Sequence, residues 1–281
     1  MAAAALAMFA LGASSAMAGP TATVDGITFP TGTNFGGYDF STQTLYENLV
    51  TGAGQQNYGI GTVDLFQVNG GGPASNTYTY GQGGVYLNFV FSGFTAACVN
   101  SARCKGDVDF TGGTISFYAD SSALSTSGSF STEESAIETG GPEFLALSAE
   151  AQNAAGDTII ANLGGGTTKN FSDAGSKGFF AVSGGDAESY IAADGFANKY
   201  GPGGYAAVNF TSDDSIACGT NAVSSKVMGS PCTGQTYVSG SGTGRFNATT
   251  TVPEPGSLAL LAAGLLGLWG VGRRPRSRKS A

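Results

Sequence analysis

Short apolar segments alternate with polar positions along the middle of the chain, and glycines bound most of them. Gly61–Asn69 (GTVDLFQVN) sets Val63, Leu65 and Gln67 against Thr62, Asp64 and Phe66. Gly113–Ala119 (GTISFYA), Thr158–Ala161, Lys177–Val182 and Tyr205–Phe210 (YAAVNF) are of the same kind. A period of two belongs to a strand with one buried face. Tyr78-Thr79-Tyr80 leads through Gly81-Gln82-Gly83-Gly84 into Val85–Phe91 (VYLNFVF), which predicts a hairpin whose second strand is buried on both faces. Ser41–Val50 reads as extended, and Thr236–Ser239 and Gly244–Thr250 as the last strands. Glu143–Ala155 predicts the one helix of the body, with Pro142 in its first turn and Gly156 past its end. A strand over Phe144–Ser148 fits the same residues, because a short apolar run does not declare its period. Many short strands with Gly-rich turns predict an all-β, Gly-rich body of β-sandwich or jelly-roll type.

The two ends break this pattern with continuous apolar runs. Residues 1–18 are Ala-rich, and Ala16-Met17-Ala18 offers the small-x-small site of a secretory signal, with cleavage between Ala18 and Gly19. No Lys or Arg precedes this run, so the reading allows a start upstream of Met1. At the other end, Gly256–Gly272 carries no charge. Its apolar stretch, Leu258–Val271, would span roughly 25 Å as a helix, close to the hydrocarbon core of a bilayer. Arg273, Arg274, Arg276, Arg278 and Lys279 follow it and favour the cytoplasmic side. Pro253 and Pro255 keep Val252–Pro255 out of the helix, extended and open to a protease. The expected organisation is a signal helix over 1–18, an extracellular β-rich body over 19–240, a Gly/Ser/Thr-rich strand or linker over 241–251, and a membrane-spanning sorting segment over 252–281.

The order of Val252, Pro253, Glu254 and Pro255, an apolar helix and a basic cluster resembles the PEP-CTERM sorting signal. The resemblance implies processing by exosortase near Pro-Glu-Pro, transient residence in the inner membrane, and a final place at the cell surface or in an extracellular matrix rich in exopolysaccharide. The body is similar to the flocculation-associated branch of these proteins. That similarity rests on Tyr46-Glu47, on VYLNFVF, on Gly112–Asp120 and on Gly156-Asp157-Thr158-Ile159-Ile160. It implies a role in cell aggregation.

Composition narrows the chemistry. Without the tail the chain holds seven basic residues against nineteen acidic ones, a net charge near −12. Such a body repels nucleic acid and anionic membrane surfaces. Charged residues are only 11% of the chain and aromatic residues another 11%, with Phe and Tyr inside the alternating segments, which argues for a folded β protein over disorder. Four cysteines in an exported chain predict disulfides. Of the three possible pairings, the local one joins Cys98 to Cys104 and Cys218 to Cys232. Cys-x-x-Cys spacing and histidine, both expected of a zinc site, are missing.

The lack of histidine also removes Ser-His-Asp and Cys-His catalysis. Paired carboxylates are left: Asp107/Asp109, Glu133/Glu134 and Asp213/Asp214. Asp107 and Asp109, two apart on an extended segment, and Asp186, Glu188 and Asp194 in a Gly-rich loop are weak candidates for calcium. No cofactor is otherwise expected. The sequence therefore predicts a non-enzymatic exported protein acting through exopolysaccharide association, adhesion or aggregation. A carbohydrate-active enzyme using paired carboxylates and a purely structural matrix component are the alternatives.

Overall fold

The computed structural model describes residues 21–30, 37–68, 76–125, 128–164, 174–216 and 237–247. The predicted signal peptide, the 252–281 tail, Cys218 and Cys232 lie outside them. Among the described residues no helix is long and apolar enough to cross a membrane.

The chain forms a hairpin of β1 (Thr21–Val24) and β2 (Ile27–Pro30), then β3 (Tyr38–Asn48), β4 (Gln56–Val68), β5 (Asn76–Thr79), β6 (Tyr86–Val99), β7 (Val108–Thr111) and β8 (Thr114–Asp120). The helix α1 (Phe130–Gly140) follows, then β9 (Glu143–Glu150), β10 (Ile159–Asn162), β11 (Ala174–Gly184), the small pair β12 (Phe196–Ala197) and β13 (Tyr205–Ala206), β14 (Val208–Ile216) and β15 (Tyr237–Phe246).

The large sheet has no break between two layers. Its chain of pairings closes on itself, because β4 pairs with β6 as well as with β3. The predicted sandwich or jelly roll is instead a barrel of eight antiparallel staves in chain order, closed by β15 against β3. Three staves are interrupted. β5 and β6 both lie along β4, β7 and β8 both lie along β6, and β9 and β10 both lie along β11. The expected hairpin of Tyr78–Tyr80 with Val85–Phe91 is thus absent. The glycine-rich turn between them closes on itself through Gly81 N–H to Val85 O (2.9 Å), and the chain resumes along the same neighbour.

Closure depends on β15, whose glycines alternate. Gly244 stands opposite Phe40 and Phe210, and Gly242 opposite Thr42 and Ser212. A Cβ at Gly244 would collide with the Phe40 ring, and one at Gly242 with the Phe210 ring. The stretch that reads as a Gly/Ser/Thr-rich strand or linker is, up to Phe246, the stave that leaves room for the aromatic interior.

Bulges reset the faces where simple alternation fails. The register between β3 and β4 shifts around Thr42, so Val63 and Phe66 both reach the core, although their spacing of three would put them on opposite faces of a regular strand. Outside the wall, α1 lays Ile137 on Ile60 and Val90. This covering helix is why Val85–Phe91 is buried on both faces, as its unbroken apolar run suggested. Glu143–Glu150 is strand and not helix, with Leu145 and Leu147 paired to Phe117 and Ile115.

Candidate functional site: an apolar cavity inside the barrel

The staves give the barrel two ends. At the exit end β3 begins and β15 finishes, so the chain leaves there toward its C-terminus. Aromatic rings fill this half: Tyr38 stacks on Phe246 at 5.0 Å, and Phe40 meets Phe117 at 5.7 Å and Phe66 at 6.0 Å between ring centres. Phe66 also touches Tyr78 and Phe144. Ile27 from the β1–β2 hairpin, together with Ala187 and Ile191, joins this core, all nearly solvent-free.

At the far end, where β3 turns into β4 and β6 into β7, the interior positions become small: Ala96, Ala161, Ala174, Ser176 and Ser212. A cavity of about 110 Å³ remains. Phe89, Phe91, Phe94, Phe110, Phe180 and Phe210 wall it, with Leu45, Val108, Ile115 and Leu163 among the aliphatic side chains around it. Polar groups reach it in two places. Ser176 and Ser212 share a hydrogen bond of 2.6 Å between hydroxyls on β11 and β14. At the mouth, Glu47, Asn48 and Asn57 line the cavity, and Asn57 Nδ2 donates to Glu47 Oε2 (3.2 Å) and to the Asn48 carbonyl (3.3 Å). Asn48 in turn fixes the turn, donating to Gln56 O and accepting from Tyr58 N–H. Glu47, Asn48 and Leu49 are half-buried, so the cavity communicates with solvent on this side.

The carboxylates singled out from sequence are scattered or already engaged. Asp109 is wholly buried beneath the β6–β7 loop and accepts from the N–H groups of Lys105 and Gly106. Asp107 accepts from Leu163 N–H at 2.7 Å, tying that loop to the end of β10. Cys98 and Cys104 are joined in a disulfide, with Cα atoms 5.7 Å apart, in the same loop. The ligating atoms of Cys98, Cys104 and Asp109 lie within 4.8 Å of one another, but the disulfide leaves neither sulfur as a thiolate. Glu133 is buried at the start of α1 and accepts from Gly128 N–H and Ser125 Oγ, while Glu134 is part-exposed on the helix. Asp213 and Asp214 are successive positions of β14. Asp186, Glu188 and Asp194 are exposed in the loop after β11, at the exit end. Tyr78, which the hairpin reading placed on a strand, is buried and bonded to Leu87 N–H and Val85 O.

Sequence reading missed the cavity because no motif encodes it: its lining comes from seven separate staves. The available signal was the appearance of small inward residues, Ala161, Ala174, Ser176 and Ser212, among the phenylalanines at one end of the staves.

Residues 251–277 match the PEP-CTERM protein-sorting motif. That motif marks its bearer for export through the membrane and for processing by exosortase, with an extracellular or surface destination. No curated protein and no solved structure matches the chain.

Proposed function

Taking the chain as a PEP-CTERM protein, exported and sorted by exosortase, we propose that its barrel works outside the cell as a non-catalytic binding module. Its setting is the surface or the extracellular matrix, and its action is exopolysaccharide association, adhesion or cell aggregation. The sorting signal supports the setting. The observation that supports the non-catalytic reading is the interior, where among the described residues one carboxylate, Glu47, lines the cavity. Glycoside hydrolysis needs two carboxyl groups about 5–10 Å apart across the scissile bond. Of the other paired acids, Asp107, Asp109 and Glu133 are spent on loop and helix ends.

The test is gene deletion followed by measurement of aggregation and polysaccharide retention. Both should fall, and both should return with the parent gene. Complementation with Glu254→Ala, or with Arg273–Lys279 deleted, should leave the protein unprocessed and the defect in place. A deletion strain that aggregates and retains polysaccharide like its parent would refute the matrix role. Unchanged processing of both tail variants would refute the sorting role of those residues.

A further inference from the structure

We infer that the hairpin of β12 and β13 is a stacking platform for a glycan chain bearing carboxylate groups. Tyr200 and Tyr205 meet its sugar rings, and Lys199 meets its carboxylates. This deepens the matrix role proposed above and rests on it, by naming the surface and the class of sugar.

Exposure singles out the hairpin. Among the described residues, the exposed large hydrophobic side chains are Tyr58, Tyr200 and Tyr205. Tyr58 is engaged, with its ring centre 4.8 Å from that of Phe130. The other two stand in one short hairpin, exposed to 42% and 48%. That hairpin is pinned from below. Asn198 N–H donates to Gly204 O (2.9 Å), and Gly201 N–H to Asn198 O (3.0 Å). The buried Asn198 side chain accepts from Tyr200 N–H (3.2 Å) and donates to the buried Glu150 carboxylate and to Ala151 O, both at 3.1 Å. A Cβ at Gly201 would collide with the Tyr205 carbonyl, so the backbone folds the two tyrosines to one end of the hairpin. Burying a carboxylate and an amide to hold a turn costs free energy. What the turn holds is two rings facing solvent, already in place for a ligand.

Chemistry chooses the occupant. A tyrosine offers a flat apolar face and a hydroxyl. A pyranose ring is the counterpart, with C–H groups on its faces and hydroxyls around its rim. From Gly195 to Ala207, Lys199 is the only charged residue. Its Nζ lies 5.4 Å from the centre of the Tyr200 ring, and it makes no ion pair among the described residues. A sugar stacked on Tyr200 therefore carries its carboxylate beside a cation, on a body whose net charge is otherwise near −12. Two rings are too little surface for a protein partner, which covers about 800 Å² on each side. An anionic membrane surface is repelled by the acidic body.

An oligogalacturonate and its methyl ester share their rings and differ in charge. Both are titrated calorimetrically into the protein expressed at full length and recovered after export. The acid should bind saturably, and the ester about threefold more weakly, the worth of an exposed ion pair. Tyr200→Ala and Tyr205→Ala should each weaken the acid roughly tenfold while circular dichroism stays that of the parent. Tyr200→Phe and Tyr205→Phe keep the rings and should bind nearly as the parent does, and Tyr58→Ala should change nothing. Lys199→Gln should lower the acid to the level of the ester, and it decides alone should the alanine variants not fold. Absence of binding by both glycans, undiminished binding in the folded alanine variants, or an ester bound as tightly as the acid would each overturn the inference. The deletion strain separates this surface from the matrix role. Complementation with the Tyr200→Ala/Tyr205→Ala double variant should leave polysaccharide retention low. Full restoration by that variant would overturn the platform and leave the matrix role standing.

Discussion

The two halves of this barrel are made from the same staves, yet one is filled and the other hollow. At the exit end, Tyr38, Phe40, Phe66, Phe117 and Phe246 interlock, and Gly244 of β15 leaves room for the Phe40 ring. At the far end, Ala161, Ala174, Ser176 and Ser212 leave space that larger residues could occupy. An unfilled cavity of this size costs about 2–3 kcal/mol at about 24 cal/mol per Å³. A chain under selection for stability alone would close it with a few methylenes. The contrast shows that packing is uneven along the barrel axis: the filled half interlocks its rings, and the hollow half keeps a cavity among its phenylalanines.

The largest expected effect strikes the filled half. Phe40→Ala removes a ring that meets Phe66, Phe117, Phe210 and Phe246, and it should cost about 3–5 kcal/mol in denaturant unfolding. A cost below about 1 kcal/mol would show that this half is not packed as described. The disulfide comes next. Replacing Cys98 and Cys104 together by Ala releases a seven-residue loop at the hollow end, worth about 2 kcal/mol by loop entropy. The loss should fall at or below that figure, because Asp109 still gathers the N–H groups of Lys105 and Gly106.

Adding carbon should have opposite signs in the two halves. Gly244→Ala drives a methyl into the Phe40 ring and should destabilise by about 1–3 kcal/mol. Ala161→Leu places new methyls in free space and should be neutral or stabilising by about 0.5–2 kcal/mol. Equal destabilisation by both would erase the distinction between the halves.

A pH effect belongs to the filled end. Asp120 is buried outside the wall near the end of α1, where burial pushes its carboxyl up to about 6 against the lowering effect of the Asn88 amide. The folded chain therefore holds this proton to a higher pH than the unfolded chain, whose carboxyl titrates near the ordinary value of about 3.9. The sign is unfavourable to folding at neutral pH: stability from this group is greatest below about pH 4 and declines as pH rises through about 6, by up to about 3 kcal/mol. Asp120→Asn should flatten that decline, measured as unfolding free energy against pH. The smallest effect is that of Arg245→Ala. It breaks the exposed pair with Asp39, which has a 2.6 Å contact, and should cost under about 1 kcal/mol, less in high salt.

Individual strands were legible where alternation was clean, as in Thr114–Asp120 and in the apolar run of β6. The short spacing of Cys98 and Cys104 pointed to the bridge that the structure contains. Closure was not legible, because the residue pattern of β15, Gly240-Ser241-Gly242-Thr243-Gly244, carries the composition of a linker while its alternate glycines serve large side chains on other staves. Helix α1 escaped for a related reason. Its segment FSTEESAIETG is mostly polar and its Glu133/Glu134 pair looks like chemistry. Ser129 before it, an acidic first turn and Gly140-Gly141 after Ile137 were the available signs of a short surface helix. Glu47 stood out only as part of a Tyr-Glu pair. Its position at a cavity mouth depends on β4 delivering Asn57 beside it, a fact of register and not of local sequence.

The claim that one half is hollow and the other a packed support is tested most directly by methyl NMR of the exported protein under increasing xenon pressure. The methyls of Leu45, Val50, Val108, Ile115 and Leu163 should shift and saturate together, while those of Ile27, Val63 and Leu87 stay in place. Shifts centred on the second group, or none that saturate, would contradict the account.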